Sequence, residues 1–145
     1  MEEMHINWAA FAAAVVAQTV VGFIWYHPMV MGKVWAKANG IDIKEMQPKN
    51  AGMTYGLTLL FTVFFTMWLM TSVTGPGQDV APDGHSFHTF QHGFAHAVIY
   101  GILIMIPVFG TPALFEKRSL SWVMVHVGYW FLRMVVGAGI LSMWR

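Results

Sequence analysis

The 145-residue chain has no cysteine and few charges. Without thiols, disulfides and thiolate-held metals are excluded, though the compartment stays open. Charged residues make up 10% of the chain, against about 25% in soluble domains. The net charge of +1 comes with no basic patch, which argues against a nucleic-acid partner. Strand-type alternation, internal repeats and low-complexity stretches are also missing. The chain does have apolar residues, at 57% of the total. A chain so poor in charge and so rich in long apolar runs has a bilayer for its solvent.

Four apolar segments stand out, at about 6–26, 53–73, 87–109 and 120–144. Each is near the roughly 20 residues a helix needs to cross a hydrocarbon core. Lipid satisfies no open backbone group, so each must be a helix. The expected fold is an all-α membrane protein, a four-transmembrane-helix bundle forming a single integral domain over 1–145. The leader MEEMH is acidic and the first apolar run is too long for a signal core, so the first segment reads as a retained span.

Loop charges predict the orientation. Lys33, Lys37, Lys44 and Lys49 follow the first segment, and Lys117 and Arg118 follow the third. The loop after the second has Asp79 and Asp83 but no Lys or Arg. The positive-inside rule puts both basic loops in the cytoplasm and both termini outside. Trp8, Trp25, Tyr26, Trp35, Trp68, Trp122 and Trp144 fall near the expected span ends, as interfacial aromatics do. Met29 to Ala38 mixes apolar residues with Lys33, Trp35 and Lys37. That pattern suits a short interfacial helix after the first span, stopped by Gly40.

Two blocks of residues resemble a known family. The first is Asn7-Trp8, Gly22, Trp25-Tyr26, Pro28, Gly32-Lys33 and Trp35. The second is Leu114-Phe115-Glu116, Arg118 and Gly128-Tyr129-Trp130. Together they resemble the domain-of-unknown-function 1761 family across nearly the whole chain. The resemblance implies a small four-helix bacterial membrane protein, hence the bacterial inner membrane. It implies no activity, which leaves function to the residues.

Each segment carries a polar or small-residue stripe at helical spacing. The first has Asn7, Ala14, Gln18, Gly22 and Trp25; the second has Thr54, Thr58, Thr62 and Thr66. In the third, His85, His88, His92 and His96 form one edge that Tyr100 continues. Gly93, Ala97 and Gly101 lie nearly opposite. In the fourth, His126, Trp130, Arg133 and Gly137 align. Polar groups avoid lipid, so the stripes should face one another, a second copy or a membrane partner. The bland reading is packing: small residues let backbones approach, and the scattered methionines fill the core. Asn7 reads as a helix cap, and Gln18 as an interhelical hydrogen bond.

Arg133 lies about halfway along its segment, where a charge costs roughly 2.5–3.5 kcal/mol on insertion scales. None of the four segments contains Asp or Glu. Arg133 must use carbonyls, Gln18, Thr or Tyr hydroxyls, water, or an anion from outside. A binding site for an anion or small molecule, with His126, Gln18 and Tyr100 in its polar network, stands beside a purely structural guanidinium.

The histidines admit three readings. They form a neutral hydrogen-bonded stripe; or pairs at i, i+4 hold a transition metal such as zinc or copper; or the ladder with Tyr100 and His126 conducts protons or ions. At the outer mouth, His5, Glu2, Glu3, Asp79 and Asp83 would supply further metal ligands. Haem is disfavoured, because two histidines on one helix do not reach opposite faces of one porphyrin. The most economical expectation is a non-enzymatic membrane protein with lipids as its surroundings.

Overall fold

The computed structural model describes residues 6–74 and 80–144. The first helix, α1, runs Trp8–Trp25. Asn7 caps it, its side-chain oxygen accepting from the N–H groups of Ala9 and Ala10 at 3.0 Å. A π-helical turn over Pro28–Gly32 leads into α2, Lys33–Asn39. Gly40 ends α2 in the left-handed region at φ 66°, the conformation that favours glycine. Then come α3, Ala51–Thr74, and α4, Phe90–Tyr100. A second π turn, Gly101–Met105, joins α4 to α5, Ile106–Phe115. The last helix, α6, is Leu120–Met143, capped by the Ser119 hydroxyl.

Four helical stretches are long and apolar enough to cross a membrane: Trp8–Trp25, Ala51–Thr74, Phe90–Phe115 and Leu120–Met143. The described residues form an all-α bundle, and α6 is its centre, packing against every other α-helix. Its small residues explain this place. Gly137 seats Gln18 of α1: an added Cβ there would lie 2.7 Å from Gln18 Nε2. Gly128 lies under the Trp25 ring, and Gly139 lies under the Phe90 ring of α4. On α4, Gly93 sits directly against the Ala138 carbonyl, and Gly101 against Phe131. The Gly93, Ala97, Gly101 stripe is therefore the α4–α6 seam, with all three residues buried.

The third helical stretch differs from the sequence expectation at both ends. It begins at Phe90, because Thr89 takes the N-cap and accepts from the His92 N–H. His85 and His88 thus precede the helix, in a loop held by an isolated antiparallel bridge between Val80 and Ser86. The single stripe of four histidines is corrected to a helical pair, His92 and His96. At its other end the helix continues past Pro107 and Pro112 to Phe115 instead of stopping near 109. Pro107 has no N–H for the Leu103 carbonyl, which would normally break an α-helix. The π turn ahead of it absorbs the mismatch, with the Ile106 N–H bonding to the Gly101 carbonyl.

Trp25 and Trp122 do more than mark span ends. Their indole N–H groups donate inward, to the Val125 carbonyl at 3.2 Å and to Asn39 Oδ1 at 3.1 Å. The second bond ties α2 to the start of α6. At the far end, the Ser142 hydroxyl lies 3.0 Å from the Phe87 carbonyl and 2.9 Å from the Thr89 carbonyl. It fixes the entry to α4.

Candidate functional site around Arg133

Arg133 is 3% exposed. Nη2 donates to Thr62 Oγ1 of α3 at 2.8 Å, and Nη1 donates to the Tyr129 hydroxyl at 3.1 Å. Three aromatic faces surround the guanidinium carbon: Trp130 at 4.8 Å, Tyr129 at 5.2 Å and Phe65 at 5.6 Å. Hydrogen bonds to a charged group contribute about 1.5–3 kcal/mol each. A cation over an aromatic face adds roughly 0.5–2 kcal/mol. Together these offset a midplane insertion cost of about 2.5–3.5 kcal/mol without a carboxylate. The third donor, Nε, is buried and has no acceptor.

The threonine ladder leads from Arg133 to Gln18. Thr62 and Thr66 are buried, and each hydroxyl donates to the carbonyl four residues earlier, at 2.8 Å and 2.7 Å. The Thr66 hydroxyl then accepts from Gln18 Nε2 at 2.8 Å. Gln18 Nε2 also donates to the Ala14 carbonyl, which fixes the amide orientation, since a carbonyl only accepts. Gln18 Oε1 is left buried with no donor. The track Gln18–Thr66–Thr62–Arg133–Tyr129 thus ends on an unmatched acceptor and contains an unmatched donor. Thr54 and Thr58 share the threonine spacing but are exposed. They lie on the open part of α3.

The histidine pair lies apart from this track. The His92 and His96 rings meet edge to face at 4.6 Å, and His96 Nδ1 is 3.1 Å from the Tyr100 hydroxyl. Tyr100 contacts Trp68, Trp68 contacts Phe65, and Phe65 contacts Trp130, with centroids 4.9, 5.6 and 4.9 Å apart. A column of aromatic rings therefore fills the space between His96 and Arg133. Phe65 carries no exchangeable proton, so this column is not a proton wire. His126 belongs to neither group. It stacks on Trp122 and Phe109, and its Nδ1 donates to the Trp122 carbonyl at 2.7 Å. His85 and His88 are exposed in the loop, His85 Nδ1 lying 3.0 Å from Asp83 Oδ2. Among the described residues, no three His, Cys, Asp or Glu side chains gather as a metal site would need. His5, Glu2, Glu3 and Asp79 lie outside the described residues.

Sequence reasoning named the kinds of group that would hold Arg133, but not Thr62 or Tyr129 themselves. Tyr129 had a legible signal: it lies four residues before Arg133, one turn away. Ser142 went unmarked, although a hydroxyl among small residues near a helix end is a common interhelical donor.

Four apolar helices around a buried polar track define a multi-pass α-helical membrane protein. The sequence model described as "Protein of unknown function (DUF1761)" matches residues 9–142, and the chain belongs to that family. No curated protein and no solved structure matches it.

Proposed function

We propose that the protein is a non-enzymatic membrane protein that binds the anionic group of a small amphiphile at Arg133. One observation carries this reading: a buried guanidinium keeps its Nε donor without an acceptor, in helices that contain no carboxylate. Nε and Nη2 form one edge of the guanidinium fork, the edge that takes a carboxylate through two parallel bonds. An entering carboxylate would displace only the Thr62 hydroxyl. That hydroxyl already donates to the Thr58 carbonyl, so it stays satisfied. The approach is from the open side, where residues 51–61 of α3 are exposed on every face. In this reading the basic loops face the cytoplasm of a bacterial inner membrane, supported by the six Lys and Arg that they carry.

The transition-metal reading retains only the His92–His96 pair on one helix, and zinc sites take at least three protein ligands. It is the weaker alternative.

The test is calorimetric titration of the detergent-solubilised protein with decanoate and, as a control for partitioning, decyltrimethylammonium. Decanoate should bind and the cation should not. Arg133→Met should weaken decanoate binding at least tenfold, and Arg133→Lys, which keeps the charge but loses the fork, should weaken it less. Equal affinity in the parent and in Arg133→Lys and Arg133→Met would sink the proposal.

A further inference from the structure

A second site, independent of Arg133, lies at the end of the bundle that carries the basic loops. The α2 C-terminus and the α5–α6 turn border an open-sided cavity of about 690 Å³. That is within the range of ligand pockets. Lys37, Lys117, Arg118 and Glu116 are the charged residues lining it. Arg118 pairs with Glu116 at 3.0 Å, which leaves Lys37 and Lys117 as surplus positive charge.

The walls are built. Asn39 is held by the Trp122 indole on one side and donates to the Trp35 carbonyl at 2.8 Å on the other. Each of the two helices that end at the cavity caps part of its last turn. The Ile41 N–H bonds to the Ala36 carbonyl and the Arg118 N–H to the Ala113 carbonyl, both at 2.9 Å. These 6→1 bonds spend acceptors that would otherwise repel an anion. In the first motif the left-handed residue is Gly40. In the second it is Lys117, at φ 54°. A lysine thus occupies a position that glycine fills more easily, and its side chain is set at the cavity.

We infer that this cavity binds a phosphate group, presented by a lipid headgroup or by soluble phosphate. Its position favours the lipid. It sits where α5 ends and α6 begins, at the limit of two apolar helices. Leu114, Phe115 and Leu120 beside it are 81%, 84% and 75% exposed. Acyl chains would cover these residues while the headgroup takes the lysines, since basic side chains at a membrane edge attract anionic headgroups.

Calorimetry on the purified full-length protein would use two probes, dioctanoyl phosphatidic acid and inorganic phosphate. The double variant Lys37→Ala/Lys117→Gly removes both free charges at positions where the new residues suit the backbone, so folding should be retained. Binding of the lipid at least tenfold tighter than phosphate, reduced at least tenfold in the double variant, assigns a headgroup site. Comparable binding of both probes with the same lysine dependence assigns a free phosphate site. Failure of the parent to bind either probe, or unchanged affinity in the double variant, overturns the inference. In an Arg133→Met background, where the decanoate site is removed, binding that depends on Lys37 and Lys117 should persist, which separates the two sites.

Discussion

The two ends of the bundle are built differently. At the end where Asn7 meets the Trp144 carbonyl, the helices are closed on one another. Ala14, Leu69, Met70, Val73, Ala138 and Leu141 form one buried cluster there. At the end that carries the basic loops, residues 51–61 of α3 are exposed on every face, and so is most of α5. Glycine makes the contrast concrete. Gly93, Gly137 and Gly139 are buried, with neighbours where a Cβ would stand, whereas Gly52, Gly56 and Gly110 have nothing within 4 Å. The same residue is a contact surface along the α4–α6 seam and idle on the open parts of α3 and α5. Arg133 lies at the boundary, since its partner Thr62 is the first buried residue of α3.

The largest expected effect attacks the closed end. Gly93→Ala would drive a methyl group into the Ala138 carbonyl, which is backbone and yields poorly. Overpacking of this kind costs about 1–3 kcal/mol. Thermal unfolding in detergent should show the loss. Gly139→Ala should cost less, because its neighbour is the Phe90 ring, a side chain that can turn. Equal stability of the parent and Gly93→Ala would mean that the α4–α6 seam is looser than its geometry.

The boundary comes second. Thr62→Val removes the acceptor of Arg133 Nη2 and leaves a buried charged donor unmatched, a cost of about 1–3 kcal/mol or more. In an Arg133→Met background the same change should cost less than about 0.5 kcal/mol, because the Thr62 hydroxyl then serves only its own helix. The double-mutant cycle isolates the pair. Additive losses would show that Thr62 acts by packing alone.

The open end should respond in the opposite direction. Gly52→Ala and Gly56→Ala meet no neighbour and replace a poor helix former with the best one, a gain of up to about 1 kcal/mol each. However, Gly52 and Gly56 are spaced four apart, as in helix pairs that dimerise in membranes. If Gly56→Ala lowers stability and shifts the protein to a smaller species on light-scattering chromatography, a second copy closes this end. An unchanged size with a small gain keeps it facing lipid.

How much of this was legible in the sequence follows the same division. The presence of four apolar spans, the Asn7 cap, the Gly40 stop and the small-residue seam of α4 could be read directly, because each depends on local spacing. The histidine ladder misled. Periodicity of three and four continues through residues 85–96, but the Thr89 cap starts the helix only at Phe90. A cap signal inside an apparent stripe outweighs the spacing around it. The Arg133 partners could not be chosen from sequence, since four threonines share one face and only packing decides which is covered. The continuation of the third helical stretch from 109 to Phe115 was hidden for a similar reason: a π turn is a backbone adjustment with no residue signature of its own.

The smallest effect concerns the loop that joins α3 to α4 at the closed end. There Ala81 N–H bonds to the His85 carbonyl at 2.8 Å, and Asp83 accepts from the His85 N–H at 3.2 Å. That backbone bond, followed by the His85 imidazole, holds the Asp83 carboxyl below the usual carboxylate range. A carboxylate with a depressed folded pKa stabilises the loop fully above its unfolded pKa, and the benefit is lost as pH falls through the folded value. Both groups are well exposed, so solvent screens the pair and the bundle should not feel the loss. The His85 amide resonance should therefore titrate at a lower pH than a free aspartate would, while the unfolding midpoint stays level across that window. A midpoint that falls with the titration would show that the loop helps to close this end, and would extend the difference between the two ends beyond the helices.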